Sequence, residues 1–343
     1  MKAKKVTIGV VNYNGINVLP ETLHAVNNLT YPYFDIMIVD NGSTDGSREW
    51  VEARYPQVCI CALGENVGLP GARNIIIQEA KSDYLFIMDN DISVEPNMLT
   101  QLMDVMEKVD GVGVCHPEIC DENDPSVYHY NGGHIHYLCS LISRKKPLPY
   151  AERPLYEQFD VISGAAMLMR RQTALEIGGF DADYFFNWED GDFTARMTLA
   201  GYKCLNIPHA FVHHRSKPRG TSKAFYQVRN RWYFILKLFS WRTILLITPM
   251  LVLFELTQAG LLLLKGAGKE YLRGTVAVFK DMPMILKKRN DFQKLKIVKD
   301  EKWLHRGEMF VPSHLMDRKI MDILNKIVCN CFNFYWHCAT VLL

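Results

Sequence analysis

Two carboxylates, Asp89 and Asp91, flank Asn90 in the run Met88-Asp-Asn-Asp91, directly after the apolar stretch 84–88. Acids at this spacing on a turn can both reach a hard divalent cation and a diphosphate bound to it. Asp and Asn are also ordinary turn formers, so the pair gains its meaning from standing at a strand end. A second acidic pair, Glu189-Asp190, follows the aromatic run Tyr184-Phe-Phe-Asn-Trp188. Apolar neighbours raise a carboxylate's pKa and fit it for general-base work, although acids at a helix start are also favoured by the helix dipole. His213-His214, after Ala210-Phe-Val212, offers an imidazole to a metal if the fold brings it near Asp91. The turn Asp40-Asn-Gly-Ser-Thr-Asp-Gly46 lacks the G-x-G-x-x-G order, which argues against a dinucleotide cofactor. Asp40 can accept hydrogen bonds from a base or ribose, or simply stabilise its turn.

These residues need elements to position them. Residues 6–11 form a short β-branched run closed by Asn12-Tyr-Asn-Gly15, too short for an export signal and suited to a first buried strand. Helical spacing over 19–28 and a second apolar run over 34–39 complete a strand–helix–strand unit. The pattern repeats with a helix near 47–55, a strand near 58–63, a helix near 70–80 and a strand over 84–88. This predicts an α/β fold, a Rossmann-like, mostly parallel central sheet with helices on both faces and ligands at the carboxyl ends of its strands. The clusters Asn12/Asn14, Asp40/Asn41 and Asp89/Asp91 all fall at such ends. Periodicity fades over 113–150, which reads as a long irregular insertion near a binding face. Order returns with a strand over 161–169, a helix over 171–177 closed by Gly178-Gly179, and a helix opening at Trp188-Glu-Asp-Gly-Asp192.

Composition narrows the class. With 343 residues, 48% hydrophobic and 22% charged, the chain is neither disordered, collagen-like nor coiled-coil. The net charge of +2 conceals an asymmetry: residues 1–213 hold 16 Lys and Arg against 28 Asp and Glu, whereas 214–306 hold 20 against 6. An acidic body followed by a basic arm suggests that the arm meets a polyanion. Within the arm, residues 215–242 carry eight basic residues and no acid, and 244–264 is a strongly apolar run interrupted by Thr, Pro249, Glu255 and Gln258. That run has the length of a membrane span, but Glu255 and Gln258 near its centre are costly in hydrocarbon and favour an interfacial or re-entrant helix over a true span or a helix buried in the protein. Basic flanks favour an anionic membrane surface as partner, and nucleic acid is not expected beside so apolar a run. Residues 323–343 read as a second interfacial helix. Nine cysteines without a C-x-x-C pair signal neither a disulfide framework nor a zinc site, and suit reduced, intracellular thiols.

Taken in order, the motifs resemble glycosyltransferase family 2, the inverting nucleotide-sugar transferases of GT-A fold, and the arm is similar to that of bacterial rhamnosyltransferase-type members. The resemblance covers residues 6 to about 215. It is carried by Val10-Val-Asn-Tyr-Asn-Gly15, Ile38-Val-Asp-Asn-Gly-Ser-Thr-Asp45, Asn66-Val-Gly-Leu-Pro-Gly-Ala-Arg-Asn74, Met88-Asp-Asn-Asp91, Ser163-Gly-Ala-Ala166, Gly178-Gly-Phe-Asp181, Trp188-Glu-Asp-Gly-Asp192 and Gly201-Tyr202 through His214. It implies that Asn12, Asn14, Asp40, Asn41, Arg73, Asp89, Asn90 and Gly164 bind the nucleotide sugar, with Asp40 facing the base. It also implies that Asp190, beside Glu189, is the catalytic base, and that Asp91, with Asp89 and His214 in preference to His213, holds Mg²⁺ or Mn²⁺. Pro70 departs from the smaller residues usual in its loop.

The resulting expectation is a catalytic domain over 1–225 and a helical membrane-associated region over 226–343. The chain would move a sugar from a UDP-, dTDP- or GDP-sugar donor to a glycan or lipid-linked acceptor in cell-surface polysaccharide synthesis, at the cytoplasmic face of the membrane. A sugar-1-phosphate nucleotidyltransferase is an alternative, although Asn12-Tyr-Asn-Gly15 lacks the basic residue that a triphosphate loop needs. A non-catalytic membrane-bound carbohydrate-binding protein is another, for which both acidic pairs together would be superfluous.

Overall fold

The computed structural model describes residues 4–122, 130–144, 147–215, 223–307 and 330–343. Two compact units result, residues 1–132 with 144–218, and residues 133–143 with 219–343. The chain runs β1 (Val6–Asn12), α1 (Leu19–Asn27), β2 (Phe34–Asp40), α2 (Ser47–Arg54), β3 (Cys59–Ala62), α3 (Gly68–Glu79), β4 (Tyr84–Asp89), β5 (Ile92–Val94), α4 (Met98–Lys108) and β6 (Val112–Asp121). It continues through β7 (Gly132–His136), β8 (Leu141–Ile142), β9 (Glu157–Phe159), β10 (Val161–Ile162), β11 (Ala166–Arg170), α5 (Arg171–Glu176), α6 (Glu189–Leu199) and β12 (Lys203–His214). After these come α7 (Ala224–Leu238), α8 (Trp241–Leu264), α9 (Gly268–Lys280), α10 (Met282–Gln293), α11 (Asp300–Trp303) and β13 (Leu304–His305). Residues 330–340 are helical as well; of the terminal helix expected over 323–343, residues 323–329 lie outside the described residues and 341–343 are not helical.

The first unit is built on a nine-stranded sheet in the order β3-β2-β1-β4-β11-β6-β12-β5, with β9 paired to β12. Strands β3, β2, β1 and β4 are parallel, as the alternation of strands and helices demands. The other half is mixed: β11 runs antiparallel to both β4 and β6, while β6 and β12 are parallel. The strong strand–helix periodicity ends at β4, and the unbroken run of parallel neighbours ends with it. Alternation along the strands sorts the core onto two faces. Val6, Ile8, Val10, Phe86 and Met88 pack under α1 and α4, and Val11, Val39, Leu85 and Ile87 pack against α3 and α6.

The irregular insertion expected over 113–150 is corrected by β6, a ten-residue strand in the sheet interior, eight of whose residues are buried. His116-Pro117-Glu118 breaks its apolar pattern, which hid it from a hydrophobicity reading. Pro117 is accommodated by an irregularity in β12: Ile207 pairs with Pro117 and Phe211 with Glu118, so residues 208–210 are looped out of register.

In the second unit, α7 packs against α9 and α10. Helix α8 has 24 residues, about 36 Å at 1.5 Å per residue, and is the one helix among the described residues long and apolar enough to cross a membrane. Only 11% of its apolar window is buried. Leu245, Val252, Leu253, Leu256, Leu263 and Leu264 are exposed. Glu255 pairs with the buried Arg231 of α7, which also donates to the Cys139 and Leu138 carbonyls, and Tyr271 donates to Glu255 at 3.2 Å. The eight described cysteines are free.

Candidate active site

Register assembles the site at the carboxyl edge of the parallel strands. Asn12 pairs with Asp40 and Val11 with Asp89, so the ends of β1, β2 and β4 lie in one row. Strand β1 is flanked on both sides there, the switch point at which open α/β sheets bind ligands. The Asn12 Nδ2 group donates to Asp40 Oδ1 at 2.9 Å and lies 2.9 and 3.2 Å from the Ser47 and Ser43 hydroxyls. The Ser43 backbone N–H donates to Asp40 Oδ2 at 3.1 Å. Asn90 Nδ2 donates to Asn12 Oδ1 at 2.8 Å, which ties the acidic turn to β1. A Cβ at Gly15 would lie 2.2 Å from that Asn90 nitrogen and 2.3 Å from Asn12 Oδ1, so a side chain there would have to displace this hydrogen bond. Asn14 is exposed with φ 50°, and its Oδ1 accepts the Thr44 N–H at 2.8 Å. Asn41 is buried and faces inward: it accepts from the Val67 N–H and donates to Asn66 and Gly68, fixing the start of α3.

Strand alternation separates the two histidines. β12 pairs antiparallel with β5, His214 opposite Ile92 and His213 opposite Ser93. His214 Nε2 comes within 3.3 Å of Asp91 Oδ1, whereas His213 Nε2 lies 2.9 Å from Glu95 Oε1. Carboxylate oxygens and an imidazole nitrogen are donors that Mg²⁺ or Mn²⁺ accepts, so Asp91 and His214, with Asp89 one residue removed, fit such an ion. Burial, aided by the neighbouring Asp91 charge, raises the Asp89 pKa, while Arg73 and His214 oppose the rise.

The other acidic pair approaches from α6. Phe185, Asn187 and Trp188 all have positive φ, at 61°, 69° and 70°, an arrangement that costs of order 1–3 kcal/mol per residue and is typical of functional loops. The Phe185 carbonyl accepts the Leu69 N–H at 2.9 Å, anchoring this loop to α3. Asp190 is half-buried; its Oδ2 accepts the Gly164 N–H at 2.9 Å and its Oδ1 the Gly191 N–H at 2.7 Å. Glu189 is buried, and its Oε2 has no hydrogen-bond partner among the described residues. Burial first, and then the Asp190 charge, push the Glu189 pKa up to about 7 against the pull of Arg73. Asp192 is fully occupied, accepting from Tyr184 at 3.1 Å and Arg196 at 2.9 Å, and so is structural.

Arg73, at 1% exposure, joins the two acidic pairs. Its Nη2 donates to Asp89 Oδ1 at 3.0 Å and to the Gly164 carbonyl at 2.8 Å, and its Nη1 lies 3.4 Å from Glu189 Oε1. The structure thus brings Asp89, Glu189 and Asp190 around one guanidinium and Gly164, and pairs Asp91 with His214. Ser43 and Ser47 belong to the network at Asp40 without having been singled out by sequence, since hydroxyls in a Gly-rich turn carry no distinctive spacing.

A mixed sheet covered by helices on both faces, with acids gathered at its parallel carboxyl edge, defines the GT-A fold of the nucleotide-sugar transferases. The Glycosyl transferase family 2 profile matches residues 7–178, half of the sequence, and the chain belongs to that family. It is similar to the N-acetylglucosaminyl-diphospho-decaprenol L-rhamnosyltransferase of Mycobacterium tuberculosis, 28% identical over 214 residues that make up 55% of this chain and 69% of that protein. Glycosyltransferase GlyG of Streptococcus pneumoniae is 33% identical over 132 residues, 37% and 44% of the two chains. Among solved structures, GalNAc-T7 with UDP, GalNAc and Mn²⁺ aligns with a TM-score of 0.57 at 19% identity, over 70% of this chain and about half, 49%, of that one. The mannosyltransferase PcManGT of Pyrobaculum calidifontis, with GDP-Man and Mn²⁺, aligns at 0.51 and 14% identity over 96% and 86%. At these identities the structural likeness is one of fold.

Proposed function

We propose that this glycosyltransferase inverts the sugar it transfers, taking it from a nucleoside-diphosphate donor to a hydroxyl of a glycan or lipid-linked acceptor in cell-surface polysaccharide synthesis. The observation that carries the reading is the half-buried Asp190, its two oxygens held by backbone N–H groups of Gly164 and Gly191, one residue of separation from the Arg73–Asp89 contact. Inversion needs an acceptor hydroxyl deprotonated on one face of the anomeric carbon while diphosphate leaves from the other. Asp190 takes that proton; the backbone donors fix its orientation. Asn12, Asn14 and Asp40 at the ends of β1 and β2 face the nucleoside, and Asp89, Asn90 and Asp91 its diphosphate side. Asp91 and His214 would hold a divalent ion, which would supply positive charge against that growing on the leaving diphosphate. The M. tuberculosis relative, named for a lipid-linked diphospho-decaprenol acceptor and rhamnosyl transfer, supports an acceptor of that kind and a rhamnosyl or hexosyl donor. Release of nucleoside diphosphate from a panel of UDP-, dTDP- and GDP-sugars by the purified chain tests the reading; absence of release from every donor, with and without Mn²⁺, refutes it.

The second unit supports a place at the cytoplasmic membrane surface. Helix α8 exposes Leu245, Leu253, Leu256, Leu263 and Leu264, while its acid Glu255 turns inward to Arg231. A helix so arranged lies in the interface with its apolar side in the lipid, and Lys265 and Lys269 just beyond it, Arg273 being paired with Glu270 at 3.0 Å, supply about 1 kcal/mol each toward an anionic leaflet.

A further inference from the structure

We infer that Arg73 is a positioning residue that sets the place of the Asp190 carboxylate relative to Asp89, and that it does not contact the donor. The inference rests on the reading of Asp190 as the base. A guanidinium that meets a diphosphate must reach the ligand, and this one is sealed at 1% exposure. Both of its terminal nitrogens face protein acceptors: Asp89 Oδ1, the Gly164 carbonyl and Glu189 Oε1. Its Nε is buried and has no hydrogen-bond partner among the described residues, so the grip on protein acceptors is made by the two terminal nitrogens alone.

Gly164 converts this grip into control of the base. Its carbonyl accepts from Arg73 at 2.8 Å and its N–H donates to Asp190 Oδ2 at 2.9 Å, so one residue is held between guanidinium and carboxylate. A Cβ at this position would lie 2.6 Å from the Asp190 Cβ and 2.8 Å from Arg73 Nη1, and only glycine lets the two approach. The planar fork of arginine reaches the end of β4, the segment between β10 and β11, and the start of α6 simultaneously, which a single ammonium cannot do. Asp89 and Asp190, on elements 101 positions apart in sequence, thereby keep one geometry. Displacement of a reacting group by about 1 Å can lower turnover by about 10²-fold.

The test compares the full chain with Arg73→Lys and Gly164→Ala. Nucleoside diphosphate release is followed with UDP-glucose, UDP-N-acetylglucosamine, GDP-mannose and dTDP-rhamnose, and kinetics are taken with the donor that the parent turns over fastest. Expected is a kcat lower by about 10²-fold in each variant, with the donor KM within about threefold of the parent. A kcat within about threefold of the parent, or a loss carried by KM, overturns the inference. If Arg73→Lys does not fold, Arg73→Gln carries the same comparison. If the parent releases no diphosphate from any donor, the transfer reading fails on its own, and the crystal structure of Arg73→Lys still decides this one. Asp190 Oδ2 moved beyond hydrogen-bond reach of the Gly164 nitrogen, about 3.5 Å, upholds it, and an unmoved carboxylate overturns it.

Discussion

Replacing Asp190 by Asn removes the proton acceptor while keeping the side chain's shape, and the consequences separate cleanly. In the wild type, Oδ2 accepts from the Gly164 N–H and Oδ1 from the Gly191 N–H. Asparagine retains one oxygen, so one of the two backbone donors meets an NH₂ group instead of an acceptor. A hydrogen bond to a charged group is worth about 1.5–3 kcal/mol, and Asp190 is only half-buried, so the discounted loss is about 1–2 kcal/mol. For a unit of this size that lowers Tm by about 2–8 °C, leaving a folded protein. Turnover should fall by about 10²–10⁴-fold, or about 3–5 kcal/mol of barrier. The gap between the two figures distinguishes chemistry from misfolding. Three measurements on Asp190→Asn check it: a melting curve, the Kd for UDP, GDP and dTDP with Mn²⁺ by calorimetry, and initial rates of diphosphate release. Nucleotide affinity is expected to stay within about threefold. Turnover within threefold of wild type would remove Asp190 from the base position.

Asp91→Ala and His214→Ala should each abolish Mn²⁺-dependent nucleotide binding in calorimetry, while His213→Ala, whose ring faces Glu95, should leave it unchanged; undiminished activity in excess chelator would point to a metal-independent enzyme. Glu189 has its folded-state pKa raised from 4.5 to about 7, so the folded chain holds a proton that the unfolded chain releases, and this contribution to stability is present at low pH and is lost as pH rises through about 4.5–7. Glu189→Gln should therefore gain stability relative to wild type by up to about 2–3 kcal/mol between pH 4.5 and pH 8, read from denaturant melts at the two pH values; a pH-independent difference would refute the assignment. Leu253→Glu with Leu256→Glu should move the chain from the membrane to the soluble fraction on high-salt washing, and a wild-type chain that resists alkaline extraction would establish a span in place of an interfacial helix.

How far the sequence reached depended on what kind of pattern each part needed. Strands β1, β2 and β4 and the helices between them were legible because buried parallel strands are continuous apolar runs, each ending at turn residues that also line the site. Strand β6 was not, because its Pro117 and Glu118 are tolerated by partners that no local pattern reveals: the looped residues 208–210, and Asn206, which donates to Glu118 at 3.0 Å. The acidic pairs stood out by spacing. The place of Arg73 did not, since a lone arginine on a helix gives no sign that three acceptors 16 to 116 positions away converge on it. Gly164 was visible only as part of a motif, its use becoming plain when the Asp190 carbon appeared 2.6 Å from where a methyl would go.

The looped residues 208–210 act as a phase adjuster. Direction alternates along an extended chain, so which of two adjacent histidines points at Asp91 is a matter of parity, counted from the last fixed partner. Here the count restarts after the irregularity, at Phe211 opposite Glu118, and runs only to His214. Lengthening or shortening the chain before Phe211 is absorbed in the loop and leaves His214 beside Asp91. One residue inserted between Phe211 and His213 exchanges the two rings, delivering His213 to Asp91 and turning His214 outward.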